Sequence, residues 1–209
     1  MNTAIAFSIL AILLAYLVGS IPSAFVVAKL RRGVDIRQVG SRNMGAMNVF
    51  YKVGFWWGML VLVMDVGKGA LGVAIARWLG TDLYIQMAAG VAVIIGHNLP
   101  VFLKFKGGKG GASCIGVLAV MMPLGIPPYL AIFGLLMLIT RFPTLSYSAA
   151  FLGFILIAWL YYHSLPLVVF SIILLLLPLA RYIPRIIEMR RKGGSWKHVA
   201  VRQDFKDRL

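Results

Sequence analysis

Residues 106–111 of this 209-residue chain carry residue types that suit anion binding. The segment reads Lys-Gly-Gly-Lys-Gly-Gly, with Lys109 between two pairs of glycines. Glycines let successive backbone N–H groups turn toward one point, and lysine ammonium groups and the beginning of a helix favour negative charge. The segment is not a Walker A loop, because a glycine follows the lysine where Ser or Thr is required. It predicts a phosphate-binding loop built from Lys106, Gly107, Gly108, Lys109, Gly110 and Gly111.

An earlier segment, residues 40–48, reads Gly-Ser-Arg-Asn-Met-Gly-Ala-Met-Asn and supplies neutral hydrogen-bonding groups. Gly40 allows a ligand to approach the backbone, and Ser41, Asn43 and Asn48 offer side-chain donors. We expect Ser41 to contact substrate, although a turn or capping role is the alternative. Asn43 and Asn48 either brace the loop or contact substrate.

Three further ionisable residues lie next to these segments or inside an apolar stretch. Asp65 and Lys68 are three residues apart, so they share one helix face and can pair. Charges within a membrane span are costly and mark function or a polar cavity. The pair is therefore either a structural ion pair or a substrate contact. His97 either bonds to backbone where its span ends or takes a direct chemical part.

The composition excludes a soluble enzyme. Hydrophobic residues make up 61% of the chain, charged residues 13%, and mean hydropathy is +0.90. A soluble domain carries roughly 45–50% apolar and about 25% charged residues. In a membrane protein, the net charge of +15 indicates which segments face the cytoplasm and favours contact with anionic lipid head groups. No nucleic-acid partner is predicted. A single cysteine excludes a cysteine-built metal site, and no metal is predicted.

We therefore predict an all-α, polytopic integral membrane protein. Its apolar spans are residues 4–28, 55–78, 83–95, 145–161 and 165–179, with two more within 111–140. Basic clusters at 31–52, 104–109 and 181–208 all fall on the cytoplasmic side only if 111–140 crosses twice. The prediction is seven transmembrane helices, N-terminus outside and C-terminus cytoplasmic. Residues 1–209 would form a single domain, with cytoplasmic loops at about 31–52 and 97–110 and a basic cytoplasmic tail at about 181–209.

At this point the sequence resembles a known family. The matching motifs are Gly40-Ser41-x-Asn43-x-Gly45-Ala46-x-Asn48-Val49, Asp65-x-x-Lys68-Gly69 and Gly96-His97-x-x-Pro100-x-Phe102-Leu103-x-Phe105-Lys106-Gly107-Gly108-Lys109-Gly110. They are similar to those of the PlsY family, the acyl-phosphate:glycerol-3-phosphate acyltransferases of the bacterial inner membrane. The resemblance implies that acyl phosphate and glycerol 3-phosphate react to 1-acyl-glycerol 3-phosphate and phosphate without a cofactor. It also implies that Ser41 and Lys109 hold substrate phosphate groups.

The chain departs from the family pattern at three positions. Tyr51 stands where the family usually has an arginine, and the C-terminal pattern places Leu179 at its histidine and Tyr182 at its asparagine. Lys52 or Arg185 would have to substitute, although a lysine cannot reproduce a bidentate guanidinium contact. Two alternatives to the enzyme follow: a catalytically degenerate paralogue that binds substrate or regulates, and a small membrane transporter.

Overall fold

The computed structural model describes residues 3–193 and residue 196, apart from the side chains of Arg185 and Lys192. Within those residues the chain is built of helices and loops and contains no strand, which confirms the all-α prediction. The chain divides between residues 121 and 122 into two compact units.

The first unit contains six α-helices. They are α1 (Thr3–Gly19), α2 (Ser23–Arg32), α3 (Ala46–Lys52), α4 (Phe55–Trp78), α5 (Leu83–Asn98) and α6 (Gly111–Met121). A short 3₁₀ helix, Val101–Leu103, lies between α5 and α6. Residues 33–45, which we call the first loop, join α2 to α3, and residues 99–110, the second loop, join α5 to α6.

The first apolar stretch is broken, although the sequence predicted one continuous span over residues 4–28. α1 ends at Gly19 and α2 begins at Ser23, with Ser20, Ile21 and Pro22 between them. Proline has no backbone N–H, so it tends to end or kink a helix. The break leaves the Ile21 carbonyl outside the helical hydrogen bonds, where it accepts a bond from the side chain of Lys68 at 3.0 Å.

α4 is the central helix of this unit, and its two halves have different partners. Near its beginning, Gly58 lies against the backbone of Phe50 in α3, and Val61 packs with apolar residues of α2 and α3. Further along, Gly69 faces the backbone of Ser113 in α6, and Gly72 faces Val93 in α5. α4 therefore connects the elements that carry the first loop with those that carry the second.

The second unit contains the remaining helices. They are a short 3₁₀ helix (Pro123–Gly125), α7 (Ile126–Thr140), α8 (Pro143–Leu160), α9 (Leu165–Ala180) and α10 (Ile183–Gly193). Gly125 lies against the ring of Phe154 in α8, and Gly153 in α8 lies against the backbone of Tyr129 in α7. Met189 of α10 is buried against Phe142 and Tyr182.

In the part of the chain that the structure describes, five helical stretches are long and apolar enough to cross a membrane: Thr3–Arg32, Phe55–Trp78, Leu83–Leu103, Pro123–Thr140 and Pro143–Leu160. Two shorter apolar helices, Gly111–Met121 and Leu165–Ala180, accompany them. The polytopic character predicted from composition is thus present in the helices themselves.

Candidate phosphate site

The first loop is held together by the side chain of Asn48, which is 4% exposed. Its amide nitrogen Nδ2 donates to the carbonyl oxygens of Ile36 (3.0 Å), Val39 (3.0 Å) and Asn43 (3.1 Å). Its Oδ1 accepts from the backbone N–H of Ser41 at 3.1 Å. Both ends of the amide are engaged within the loop, so Asn48 braces the backbone that carries Ser41.

The side chain of Lys52 lies beside Gly40 and therefore next to Ser41. A Cβ atom placed on Gly40 would stand 2.9 Å from both Cγ and Cε of Lys52, and Gly40 has φ +61°. Glycine adopts this left-handed conformation without steric cost. Ser41 is exposed, and Tyr51 is half-buried with its ring edge-on to Phe50. The cation beside the first loop is thus at position 52, whereas the family pattern expects one at position 51.

An ion pair between Arg37 and Asp35 lies at the beginning of the first loop. Arg37 donates to Asp35 through Nη2 at 2.7 Å and Nε at 3.0 Å, and the guanidinium lies 5.1 Å from the Phe25 ring centroid. The hydrogen bonds from the Arg37 side chain hold the pKa of Asp35 below its ordinary value, against the opposing effect of burial. The same pairing raises the pKa of Arg37.

In the second loop, two of the three glycines use their backbone N–H groups internally. Gly107 donates to the carbonyl of Asn98 at 3.2 Å, and Gly108 donates to that of His97 at 3.1 Å. The sequence predicted that these N–H groups face a phosphate. The structure instead uses them to fold the loop back onto the end of α5, because buried amides need a partner and these carbonyls lie nearest.

The backbone amides that remain for an anion are those at the beginning of α6. The first hydrogen bond into α6 runs from the Cys114 N–H to the Gly110 carbonyl at 2.9 Å. The N–H groups of Gly111 and the two residues after it therefore have no acceptor within the helix. Lys109 is half-buried at this helix end, whereas Lys104 and Lys106 are exposed.

The two loops meet at Gly108. A Cβ atom at this position would run into the Nε2 of His97 and would lie 2.5 Å from the carbonyl oxygen of Met44 in the first loop. Only a glycine fits between them without displacement. Met44 itself is 2% exposed, and Lys109, the residue after Gly108, is half-buried, so the contact brings Lys109 to the edge of the first loop.

Behind the second loop lies a buried group of ionisable residues: Asp65 (2% exposed), Lys68 (6%) and His97 (4%). Lys68 Nζ is 2.9 Å from Asp65 Oδ1, and His97 Nδ1 is 3.8 Å from the same oxygen. Asp65 lies ten residues beyond the beginning of α4, about 15 Å along the helix. The pair predicted from spacing is present within α4, and its Asp65 carboxylate faces His97 at the end of α5.

Two residues that the sequence did not single out complete the site. Asn98 is 8% exposed, its carbonyl holds Gly107, and its Oδ1 lies 3.1 Å from where a Cβ on Gly110 would be. The Met44 carbonyl of the first loop lies against Gly108 of the second, where the two loops meet. Asn98 directly follows His97, so its position in the motif was visible in the sequence, but nothing in the sequence pointed to Met44.

The tail residues named in the sequence fall in the second unit. Leu179 lies in α9, and Tyr182 donates from its hydroxyl to the sulfur of Met189 at 3.7 Å. The side chain of Arg185 lies outside the described residues, as does most of the basic tail.

Comparisons with known proteins agree with one another. Residues 9–192 match the model of a family described as glycerol-3-phosphate acyltransferase. The chain is 55% identical over 203 residues to glycerol-3-phosphate acyltransferase 2 of Dehalococcoides mccartyi strain 195, covering 96% of this chain and 97% of that one.

Two solved structures have the same fold. The crystal structure of PlsY, an integral membrane glycerol 3-phosphate acyltransferase, in its glycerol 3-phosphate form superposes with a TM-score of 0.81. It is 32% identical and covers 90% of this chain and 92% of its own. The lysophosphatidic acid form of PlsY gives a TM-score of 0.77 at 31% identity, with the same coverage of both chains.

Proposed function

Because the chain belongs to the glycerol-3-phosphate acyltransferase family, we propose that it takes its fatty acyl group from an acyl phosphate. The acceptor is glycerol 3-phosphate, and the products are 1-acyl-glycerol 3-phosphate and inorganic phosphate. The acceptor proposal is supported by the solved relative, which was crystallised in forms named for glycerol 3-phosphate and lysophosphatidic acid.

For this reaction the protein has to position the two substrates and supply positive charge. The acceptor hydroxyl oxygen attacks the acyl carbonyl carbon, and an ester bond forms. Phosphate leaves with the electron pair of the broken anhydride bond, and the hydroxyl proton ends on it as hydrogen phosphate. Acyl phosphate is a mixed anhydride with a good leaving group, so no covalent enzyme intermediate is needed. The protein has to bring two anions together and neutralise their repulsion, which lysines and aimed N–H groups can do.

The observation that carries the proposal is the surface on which the two loops meet at Gly108. On either side of it lie the Lys109 ammonium, the amides at the beginning of α6 that have no acceptor within the helix, the exposed Ser41 and the Lys52 side chain beside Gly40. In our proposal Lys109 and the α6 amides hold one phosphate group. Ser41, with Lys52, holds the other.

The proposed setting is the bacterial inner membrane, with seven spans, the N-terminus outside and the C-terminus in the cytoplasm. The five long apolar stretches and the two shorter apolar helices supply the seven segments. The basic residues of the loops support placing both loops on the cytoplasmic side, where glycerol 3-phosphate is dissolved.

The experiment that tests the donor uses purified protein with glycerol 3-phosphate and either acyl phosphate or acyl-CoA. We expect product with acyl phosphate only, because the cationic second loop suits a phosphate and no described element offers a fold for a nucleotide. Equal rates with acyl-CoA would overturn the donor assignment.

A second candidate is a paralogue that binds substrate without turning it over, which the residues at positions 51, 179 and 182 favour. If Tyr51 weakens the acceptor site, Tyr51→Arg should lower the KM for glycerol 3-phosphate and leave the acyl phosphate dependence nearly unchanged. If Lys52 has taken over the missing contact, Tyr51→Arg gains nothing and Lys52→Ala raises that KM. No turnover with either donor would favour the non-catalytic paralogue.

A further inference from the structure

The three ionisable side chains behind the second loop are costly to bury. Taking a carboxylate and an ammonium out of water costs free energy that their mutual attraction only partly returns, and apolar residues often stabilise a fold as well. Asp65 and Lys68, in the middle of α4, and His97, near the end of α5, are 2–6% exposed. A group retained at such cost has a task that apolar residues cannot perform.

The contacts of the cluster lead in two directions. Toward the break between α1 and α2, Lys68 Nζ donates to the Ile21 carbonyl at 3.0 Å while it pairs with Asp65 at 2.9 Å. Toward the second loop, Asp65 Oδ1 lies 3.8 Å from Nδ1 of His97, whose ring packs against Gly108 and whose carbonyl accepts the Gly108 N–H at 3.1 Å.

His97 is placed to transmit position and not to exchange protons with a substrate. Its side chain is 4% exposed, and its Nε2 faces the α-carbon of Gly108 at a distance that excludes even a methyl group. A substrate hydroxyl cannot reach Nε2 without displacing the loop. The ring instead fixes how far Gly108 stands from α4, and Lys109 follows Gly108 directly.

From these contacts we infer that the Asp65–Lys68 pair positions the second loop for phosphate binding, acting through His97 and its contact with Gly108. Asp65 and Lys68 are positioning residues in this scheme, and Lys109 with the α6 amides makes the phosphate contacts. The inference rests on the proposed role of the second loop as the phosphate site.

The test uses a double variant, Asp65→Leu/Lys68→Met, which removes both charges and leaves neither buried alone. Asp65→Glu is the second variant; it keeps both charges but lengthens the side chain by one methylene and so shifts the carboxylate relative to His97. The matched control is Arg77→Met, which removes another charge from α4 where its Nη2 donates to Val120, away from the second loop. For each protein we measure thermal stability, kcat, and KM for each substrate separately.

We expect both cluster variants to raise the KM for acyl phosphate about tenfold or more, because small displacements of a binding group have large effects on activity. Arg77→Met should change stability without changing either KM. A purely structural pair would behave like this control, since the folded fraction would bind substrate normally. Normal KM values in Asp65→Glu, or in a folded double variant, overturn the inference.

Lys109→Ala separates this inference from the proposed site. If Lys109→Ala impairs acyl transfer while both cluster variants keep the wild-type KM, the positioning role is wrong and the phosphate site stands. If Lys109→Ala has wild-type kinetics, the second loop is not the phosphate site and both assignments fall.

Discussion

At the scale of single residues, Lys109 carries the sharpest prediction. A charge-assisted hydrogen bond contributes about 1.5–3 kcal/mol, which corresponds to about ten- to over a hundredfold in binding. We therefore expect Lys109→Ala to lower kcat/KM by that range while the protein still inserts and folds. Acyl phosphate turnover on purified protein gives the measurement.

Lys104→Ala is the matched control, because Lys104 is an exposed lysine of the same loop. It should lose much less activity than Lys109→Ala. Equal losses in the two variants would mean that the loop acts only through its summed charge.

Gly108 carries the second prediction at this scale. Gly108→Ala forces a methyl group against the His97 ring and the Met44 carbonyl, so the two loops must separate. We expect activity to fall at least as far as in Lys109→Ala, because the two proposed phosphate sites would move apart. Turnover and melting temperature are measured together.

Gly67→Ala is the control for this change, since no atom lies within 4 Å of a Cβ at Gly67. Alanine in a helix is more stable than glycine by roughly 0.5–1 kcal/mol, so this variant should melt at the same temperature or higher. Activity retained in Gly108→Ala would mean that the loops tolerate separation.

At the scale of elements, the sequence predicted local motifs better than contacts between segments that are far apart in the chain. Glycines and lysines at 106–111 identified the second loop, and three-residue spacing identified the Asp65–Lys68 pair, because both features are local. The contacts of His97 with Asp65 and of Gly108 with Met44 join residues far apart in the chain, and one sequence holds no signal for them. The break at Pro22 was readable from the proline, but the continuous apolar stretch on both sides concealed it.

The first loop carries a prediction about pH. Hydrogen bonds from Arg37 hold the pKa of Asp35 below 3.8, so the ionised carboxylate is favoured in the folded state. A lowered folded-state pKa contributes stability that is fully present above the unfolded value and lost as pH falls through the folded value. We therefore expect Asp35→Asn to melt below wild type at pH 5–7 and the difference to shrink below about pH 4.

Melting curves of wild type and Asp35→Asn across this range test the sign. A difference that stays constant down to pH 3 would show that the carboxylate charge plays no part in holding the loop.

At the scale of the whole molecule, the proposed topology predicts which surfaces face each side of the membrane. Cys114 is buried and is the chain's single cysteine, so Cys114→Ala gives a background free of thiols. Gln38→Cys would place a thiol in the first loop and Ser164→Cys one between α8 and α9. A membrane-impermeant thiol reagent added outside intact cells should label position 164 alone.

Position 38 should react only after the membrane is opened. If position 38 alone is labelled in intact cells, the topology is the reverse of the proposed one. If both positions are labelled, the number of crossings between them differs from the proposed number.

The close approach of α4 and α6 limits where a fatty chain can travel. A Cβ at Gly116 would meet the Val66 carbonyl and lie 2.9 Å from the Ala70 nitrogen, and Gly69 is as close to the backbone of Ser113. The two backbones touch, and a methylene chain about 4 Å wide cannot pass between them. The seam between α4 and α6, the helix that directly follows the second loop, is therefore shut. The hydrocarbon of donor and product has to leave the head-group site by a different face, so the enzyme's chain-length preference will be set by residues away from this helix pair.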